Sequence, residues 1–173
     1  GEETARLRRL AGRMNARVAS ARDFLLDEAS VPPGRLQEVE VAALFAGLDD
    51  LFGPRLKAKG LRLGLEAAPG LTVKGLPEVL QESVLGNLLS NARKYGGTPA
   101  SVRLRARLEG PDAVRIDVRD NGDGIPRGEQ NRIFDKFYRI DDRLARMREG
   151  SGLGLAIVKH IVRAHGGRIE LES

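Results

Sequence analysis

Hydrophobic residues change their spacing several times along the chain, and each change marks an expected element. From Thr4 to about Glu28, the residues Leu7, Ala11, Met14, Val18, Ala21 and Leu25 alternate four and three apart. That is the seam of a coiled coil or helical hairpin. A lone helix cannot bury such a stripe, so this one is expected to dock on another helix, in a partner or in a segment outside this chain. Val31-Pro32-Pro33-Gly34 ends it and separates an N-terminal unit, 1–34, from a second unit, 35–173.

Beyond Leu36 the pattern shortens. Gln37 to Val41 reads as a strand, and Val41 to Lys59 as a helix carrying Leu44, Phe45, Leu48, Leu51 and Phe52 inward. Gly53-Pro54 is expected to kink or interrupt that helix. Leu61, Leu63 and Leu65 alternate as a strand, and Leu71 to Lys74 begins another. Pro77 suits the first turn of a helix running to Tyr95, which Gly96-Gly97 closes.

Ser101 to Leu108 sets Val102, Leu104, Ala106 and Leu108 against Arg103, Arg105 and Arg107, a half-buried strand with arginines toward solvent. Ala113 to Val118 pairs with it as an antiparallel hairpin. Gly128 to Tyr138 is expected to be helical, the stretch to Gly150 irregular, Leu153 to Ala164 a helix and Arg168 to Leu171 a last strand. These elements predict an α/β (α+β) two-layer sandwich, with helices on one face of a mixed, mainly antiparallel sheet.

Composition narrows the chemistry. The 173 residues contain no cysteine, which excludes disulfides and thiolate metal sites. A 41% hydrophobic and 31% charged chain is of globular type. No apolar run approaches the roughly 18 residues of a membrane span, so an aqueous, cytoplasmic location without direct membrane insertion is expected. The net charge of +5 and pI near 10.0 suit an anionic ligand. With aromatics at 4% and arginines scattered among acids, a nucleotide is the expected anion and nucleic acid is not an expected partner.

Three stretches carry candidate chemistry. In Asn87 to Tyr95, NLLSNARKY, Asn87 and Asn91 stack one turn apart, with Lys94 and Tyr95 turned toward the same neighbourhood. Amide oxygens are hard, neutral ligands that suit a phosphate-bound Mg²⁺. Asp120-Asn121-Gly122-Asp123-Gly124-Ile125-Pro126 follows a strand; its glycines let the backbone approach a flat ligand, and Asp120 offers a carboxylate to a base amino group. The competing reading there is an Asn-Gly hairpin turn. Gly150-Ser151-Gly152-Leu153-Gly154-Leu155 opens into a helix, and a glycine turn at a helix N-terminus is a phosphate cradle.

In this order the stretches resemble the catalytic domain of sensor histidine kinases. NLLSNARKY looks like that family's N box, DNGDGIP its first glycine box, IFDKFYRID its F box and GSGLGLAIVKHIV its second glycine box. The resemblance places the chain in the Bergerat-type ATP-binding superfamily of gyrase B, HSP90 and MutL. It implies ATP and Mg²⁺ as cofactors, with Asn91 on the metal, Asn87 nearby, and Lys94 and Tyr95 lining the nucleotide. It implies that Asp120 reads the adenine amino group above Gly122, Gly124 and Ile125. Arg139 would contact phosphate, Gly150, Ser151, Gly152, Leu153, Gly154 and Leu155 would hold the phosphates, and 139–149 would form a mobile lid.

The implied reaction moves the γ-phosphoryl group of ATP to a histidine on a helical domain absent from this chain. His160 and His165 are outside any phosphoacceptor motif. The N-terminal helix resembles the second helix of the family's dimerisation domain. That implies a homodimer through it, with the missing acceptor domain and a response regulator receiver domain as further partners, in the cytoplasmic part of a membrane-anchored receptor. Asn87 stands where gyrase-type ATPases carry a water-activating glutamate, which disfavours hydrolysis. A gyrase-type switch, a non-catalytic ATP-binding module and a serine-directed anti-sigma kinase are the alternatives. The chain departs from the family in ending before an expected last strand and in having Leu76 where an aspartate caps the helix.

Overall fold

A computed structural model describes residues 33–58, 60–97, 99–140 and 151–173. The N-terminal helix, the boundary at its end, Gly150 and nearly all of the expected lid lie outside the described residues.

Strand β1 (Gln37–Glu40) leads directly into helix α1 (Val41–Ala58), followed by β2 (Arg62–Ala67) and β3 (Thr72–Gly75). A π-wound segment (Val79–Leu85) runs into α2 (Gly86–Tyr95). The hairpin β4 (Ser101–Leu108) and β5 (Val114–Asp120) comes next, and α3 (Gly154–Ala164) closes the order. β1 and β3 pair antiparallel with Val39 opposite Val73. β2 lies parallel to β4, and β5 antiparallel to it, in the order β2-β4-β5. The expected mixed sheet is thus divided into two hydrogen-bonded units.

Register decides which face of the hairpin meets the helices. Val102, Leu104 and Ala106 are buried, and their cross-strand partners are Asp120, Val118 and Ile116. Residues directly opposite share a face, so the same face carries all six. Against it pack Val41, Phe45, Leu48 and Leu56 from α1 and Leu89 and Ala92 from α2. Fully burying a Leu such as Leu48 or Leu89 contributes roughly 1.5–3 kcal/mol. A second apolar cluster joins α3, through Leu153, Ile157, Val158 and Ile161, to Val84 of the π segment. The outer face carries the arginines, as expected; Arg105 pairs with Glu66 and Arg107 with Asp117.

Several expectations need correction. α1 runs through Gly53-Pro54 without interruption. Pro54 is on the solvent side, where the carbonyl it leaves unbonded meets water. Leu51, at the margin of the buried stripe, is 49% exposed, and Leu56 is buried instead. Residues 128–138 form a chain of tight turns and not a helix: Glu129, Arg132, Asp135 and Tyr138 each donate N–H to the carbonyl three residues back. Phe137, at φ 64, interrupts any helical run, and its ring is 70% exposed. The Phe137 main chain is tied to Gly152 instead, so tertiary contacts override local propensity.

Arg168 to Leu171 forms no ladder. Side chains tie this stretch to the hairpin: Arg115 pairs with Glu170 and Glu172, and Arg168 with Glu109. Its alternation is that of a strand, but ion pairs with an exposed edge have replaced main-chain bonds.

Candidate functional site

α2 ends beside the loop that leaves β5, and α3 begins beside the middle of the amide helix. A hollow of about 2430 Å³ opens there, lined by Asn87, Asn91, Lys94, Tyr95, Asp120, Gly122, Gly124, Ile125, Arg139, Ser151, Gly152, Gly154 and Leu155. It exceeds one nucleotide because it continues as an open trough along β4, β5 and residues 166–173. Of the expected site residues, Gly150 is outside the described residues. The Leu153 side chain is 5% exposed within the α3 cluster, which leaves its main chain alone for the turn.

Asn87 is oriented by its own helix. Its Nδ2 donates to the Ser83 carbonyl at 2.6 Å, inside the π segment. A π turn within an α-helix is a common device at functional sites. With Nδ2 engaged, Oδ1 faces α3: a Cβ on Gly154 would lie 3.1 Å from it. The first N–H groups of α3 have no carbonyl within the helix to bond, so the positive end of the helix comes to an amide oxygen.

Asp120 is the last residue of β5, and its register with Val102 turns it to the helix-bearing face. Its Oδ1 accepts the Gly122 N–H at 2.8 Å, which fixes the carboxylate and leaves Oδ2 for a ligand. Gly122 can have no side chain, because a Cβ would lie 2.2 Å from the Tyr95 carbonyl oxygen. Gly124 has φ 77 and Gly152 φ 73, conformations that a Cβ strains. At Gly152 a Cβ would also lie 2.8 Å from the Phe137 carbonyl carbon, and the Phe137 N–H donates to the Gly152 carbonyl at 3.0 Å. The Ser151 hydroxyl accepts the Leu153 N–H at 3.3 Å, shaping the turn into α3.

Four structural residues were not singled out from the sequence. Asn121 accepts N–H bonds from Gly97 at 3.3 Å and Ser101 at 2.9 Å, and donates to the Pro99 carbonyl at 2.9 Å. It fastens the loop between α2 and β4 beside Asp120, and its place within Asp-Asn-Gly was the available signal. Glu129 accepts the Tyr138 hydroxyl, and Arg132 lies 4.2 Å over the Tyr138 ring. These side chains hold the F-box stretch after its helix is lost. On α3, Lys159 reaches within 5.4 Å of the Phe134 ring.

Residues 77–173 match the family described as histidine kinase-, DNA gyrase B- and HSP90-like ATPase. The chain belongs to that family. Over 143 residues it is 36% identical to the alginate biosynthesis sensor protein KinB of Pseudomonas aeruginosa, a match covering 80% of this chain and 23% of that protein. The sensor protein VanS of Enterococcus faecium is 37% identical over 135 residues, 78% of this chain and 34% of that protein. The chain therefore spans about a quarter to a third of the length of these curated relatives. Among solved structures, full-length ShkA in complex with AMPPNP superposes with a TM-score of 0.76 at 26% identity, covering 96% of this chain and 35% of that one. The family's sandwich agrees with the layers described above. No described helix is long and apolar enough to cross a membrane.

Proposed function

We propose that this chain is the ATP-binding catalytic part of a sensor histidine kinase, and that it presents the γ-phosphoryl of ATP to a histidine on a separate helical domain. The observation that carries the reading is that the start of α3 lies against Asn87 while the turn after Asp120 lies against the end of α2. A base amino group donates to Asp120 Oδ2, while Gly122 and Gly124 let the ring lie close to the main chain. The first N–H groups of α3 bind phosphate oxygens, favoured by the helix dipole. Leu155 and Ile125 line the hollow as its apolar contribution.

The donor set fits Mg²⁺. Among the described residues no three His, Asp or Glu converge, so a cation here takes amide oxygen, water and phosphate as ligands. Asn91 would hold it, with Asn87 Oδ1 alongside; the ion supplies charge neutralisation to the transferring phosphoryl group. Lys94 and Arg139 add positive charge at the rim. Neither asparagine can take a proton from water, so transfer to an imidazole that is itself the nucleophile is favoured over hydrolysis. The nucleotide analogue with which ShkA was solved supports the same use of the fold.

The acceptor domain and a receiver domain of a response regulator are the proposed partners, in a cytoplasmic setting. Residues 1–34 are proposed as the remnant of the helical dimerisation unit. The test mixes the chain with radiolabelled ATP, Mg²⁺ and a separately made acceptor-helix domain. Acid-labile phosphohistidine on the acceptor is expected. Steady-state release of inorganic phosphate without labelled acceptor would favour the gyrase-type reading instead.

A further inference from the structure

α3 and the amide helix run antiparallel, and a contact marks each end of the pair. At the site end, Gly154 lies against Asn87 Oδ1. Eleven residues further on, His165 meets Leu76, which is itself eleven residues before Asn87. The α3 arm is roughly 16 Å long at the α-helical rise. Between the two contacts the interface is apolar, built from Val84, Leu88, Ile157, Val158 and Ile161. Apolar contact is non-directional and does not by itself set how far one helix slides along the other.

The two partners of His165 define its state. Nδ1 is 2.8 Å from the Ile161 carbonyl oxygen, and Nε2 is 3.4 Å from the Leu76 N, a long contact. A carbonyl only accepts and a main-chain N–H only donates. With those partners the proton belongs on Nδ1, which leaves Nε2 to accept. The ring fits because Gly75 has no side chain: a Cβ there would lie 3.1 Å from His165 Cδ2 and 2.4 Å from Leu80 Cδ1. His165 thus supplies, from 89 residues away, an acceptor at a helix start where Leu76 offers none.

We propose that His165 is a positioning residue for nucleotide binding, holding the remote end of α3 in register so that the glycine turn at its other end stays against Asn87. This rests on the reading of the hollow as an ATP site. The His165→Asn side chain can keep the bond to Ile161 but is too short to reach Leu76. His165→Gln is long enough to present its carbonyl oxygen where Nε2 stands.

The test measures ATP·Mg²⁺ affinity by calorimetry for wild type, His165→Ala, His165→Asn and His165→Gln, with a thermal midpoint for each. About five-fold weaker binding is expected for Ala and Asn, the equilibrium worth of one hydrogen bond, with recovery toward wild type for Gln. Nitrogen-15 spectra of the nucleotide-free wild type are expected to show the Nδ1–H tautomer and a Leu76 amide protected from exchange. An Nε2–H tautomer, equal losses in Asn and Gln, or unchanged affinity in all three variants would overturn the proposal. If the wild type bound no ATP, the nucleotide reading would fall and the role of His165 with it. The tautomer and the Leu76 amide report on the clamp without nucleotide, so the two failures are distinguishable.

Discussion

The Tyr95 carbonyl oxygen lies 2.2 Å from where a Cβ on Gly122 would stand, so the end of the amide helix and the turn after β5 are in main-chain contact. Both partners to the collision are backbone, and neither can swing aside. Gly122→Ala must therefore displace α2 from β5 at the point where Asn91 and Asp120 face one hollow. Calorimetry is expected to show at least about ten-fold weaker ATP binding, with a loss of stability of about 1–3 kcal/mol in urea, as for an overpacked site.

Asn121 makes three hydrogen bonds that close the loop between α2 and β4. It is exposed, so water replaces part of what its removal costs. Asn121→Ala is expected to lower stability by about 1–2 kcal/mol. Amide exchange at Gly97 and Ser101 should accelerate, and protection at Leu89 in the core should change only with global stability. Unaltered exchange at both loop amides would show that the clamp carries no weight.

The hydrogen bond from Arg115 holds the Asp117 carboxyl below the usual aspartate range, with the charges of Arg115 and Arg107 adding to it. The same pairing, with Glu109, raises Arg115 above its ordinary value. A carboxyl depressed in the fold contributes stability above its unfolded pKa of about 3.9, and the contribution is lost as pH falls through the folded value. Urea midpoints of wild type and Asp117→Asn should therefore differ near neutrality and converge as the pH is brought below 4. Added salt should narrow the gap at pH 7, because the cluster lies at the surface with Arg115 and Asp117 only half-buried.

Most elements were legible because each has its own period. Val102, Leu104 and Ala106 alternate, and the stripe through Leu85, Leu89 and Ala92 has helical spacing; all six are buried. Residues 128–138 misled because Ile133, Phe134 and Phe137 also have helical spacing, while Phe137 in the left-handed region obeys its contact with Gly152. The candidate site was legible only as residue types in order: two amides, an acid at a strand end and glycines before a helix. The links that hold it were not. Asn121 to Gly97, His165 to Leu76 and Asn87 Oδ1 beside Gly154 join residues 24 to 89 apart, and no local pattern encodes which distant groups will meet. The π winding of Val79–Leu85 was equally hidden, since its sequence pattern also fits an ordinary helix.

Gly154 illustrates how small a change should register. A Cβ there would come 3.1 Å from Asn87 Oδ1, a tight contact with a side chain that could shift by a few tenths of an ångström. Gly154→Ala is expected to leave the thermal midpoint close to wild type, since Ala is the better helix former. Nucleotide affinity should nonetheless fall several-fold in the presence of Mg²⁺ and less in its absence. An equal fall in both conditions would place the effect on the phosphate turn and not on Asn87.

Whether the amide helix, the acid after β5 and the start of α3 form one ATP site is tested most directly by titrating the chain with ATP in a calorimeter, with and without Mg²⁺, alongside Asp120→Ala and Asn91→Ala. One site per chain, at millimolar affinity or tighter, is expected. Asp120→Ala is expected to lose about ten-fold or more in affinity, and Asn91→Ala to lose the Mg²⁺ dependence. No binding by the wild-type chain at millimolar ATP, or wild-type behaviour of both variants, would contradict a single ATP site.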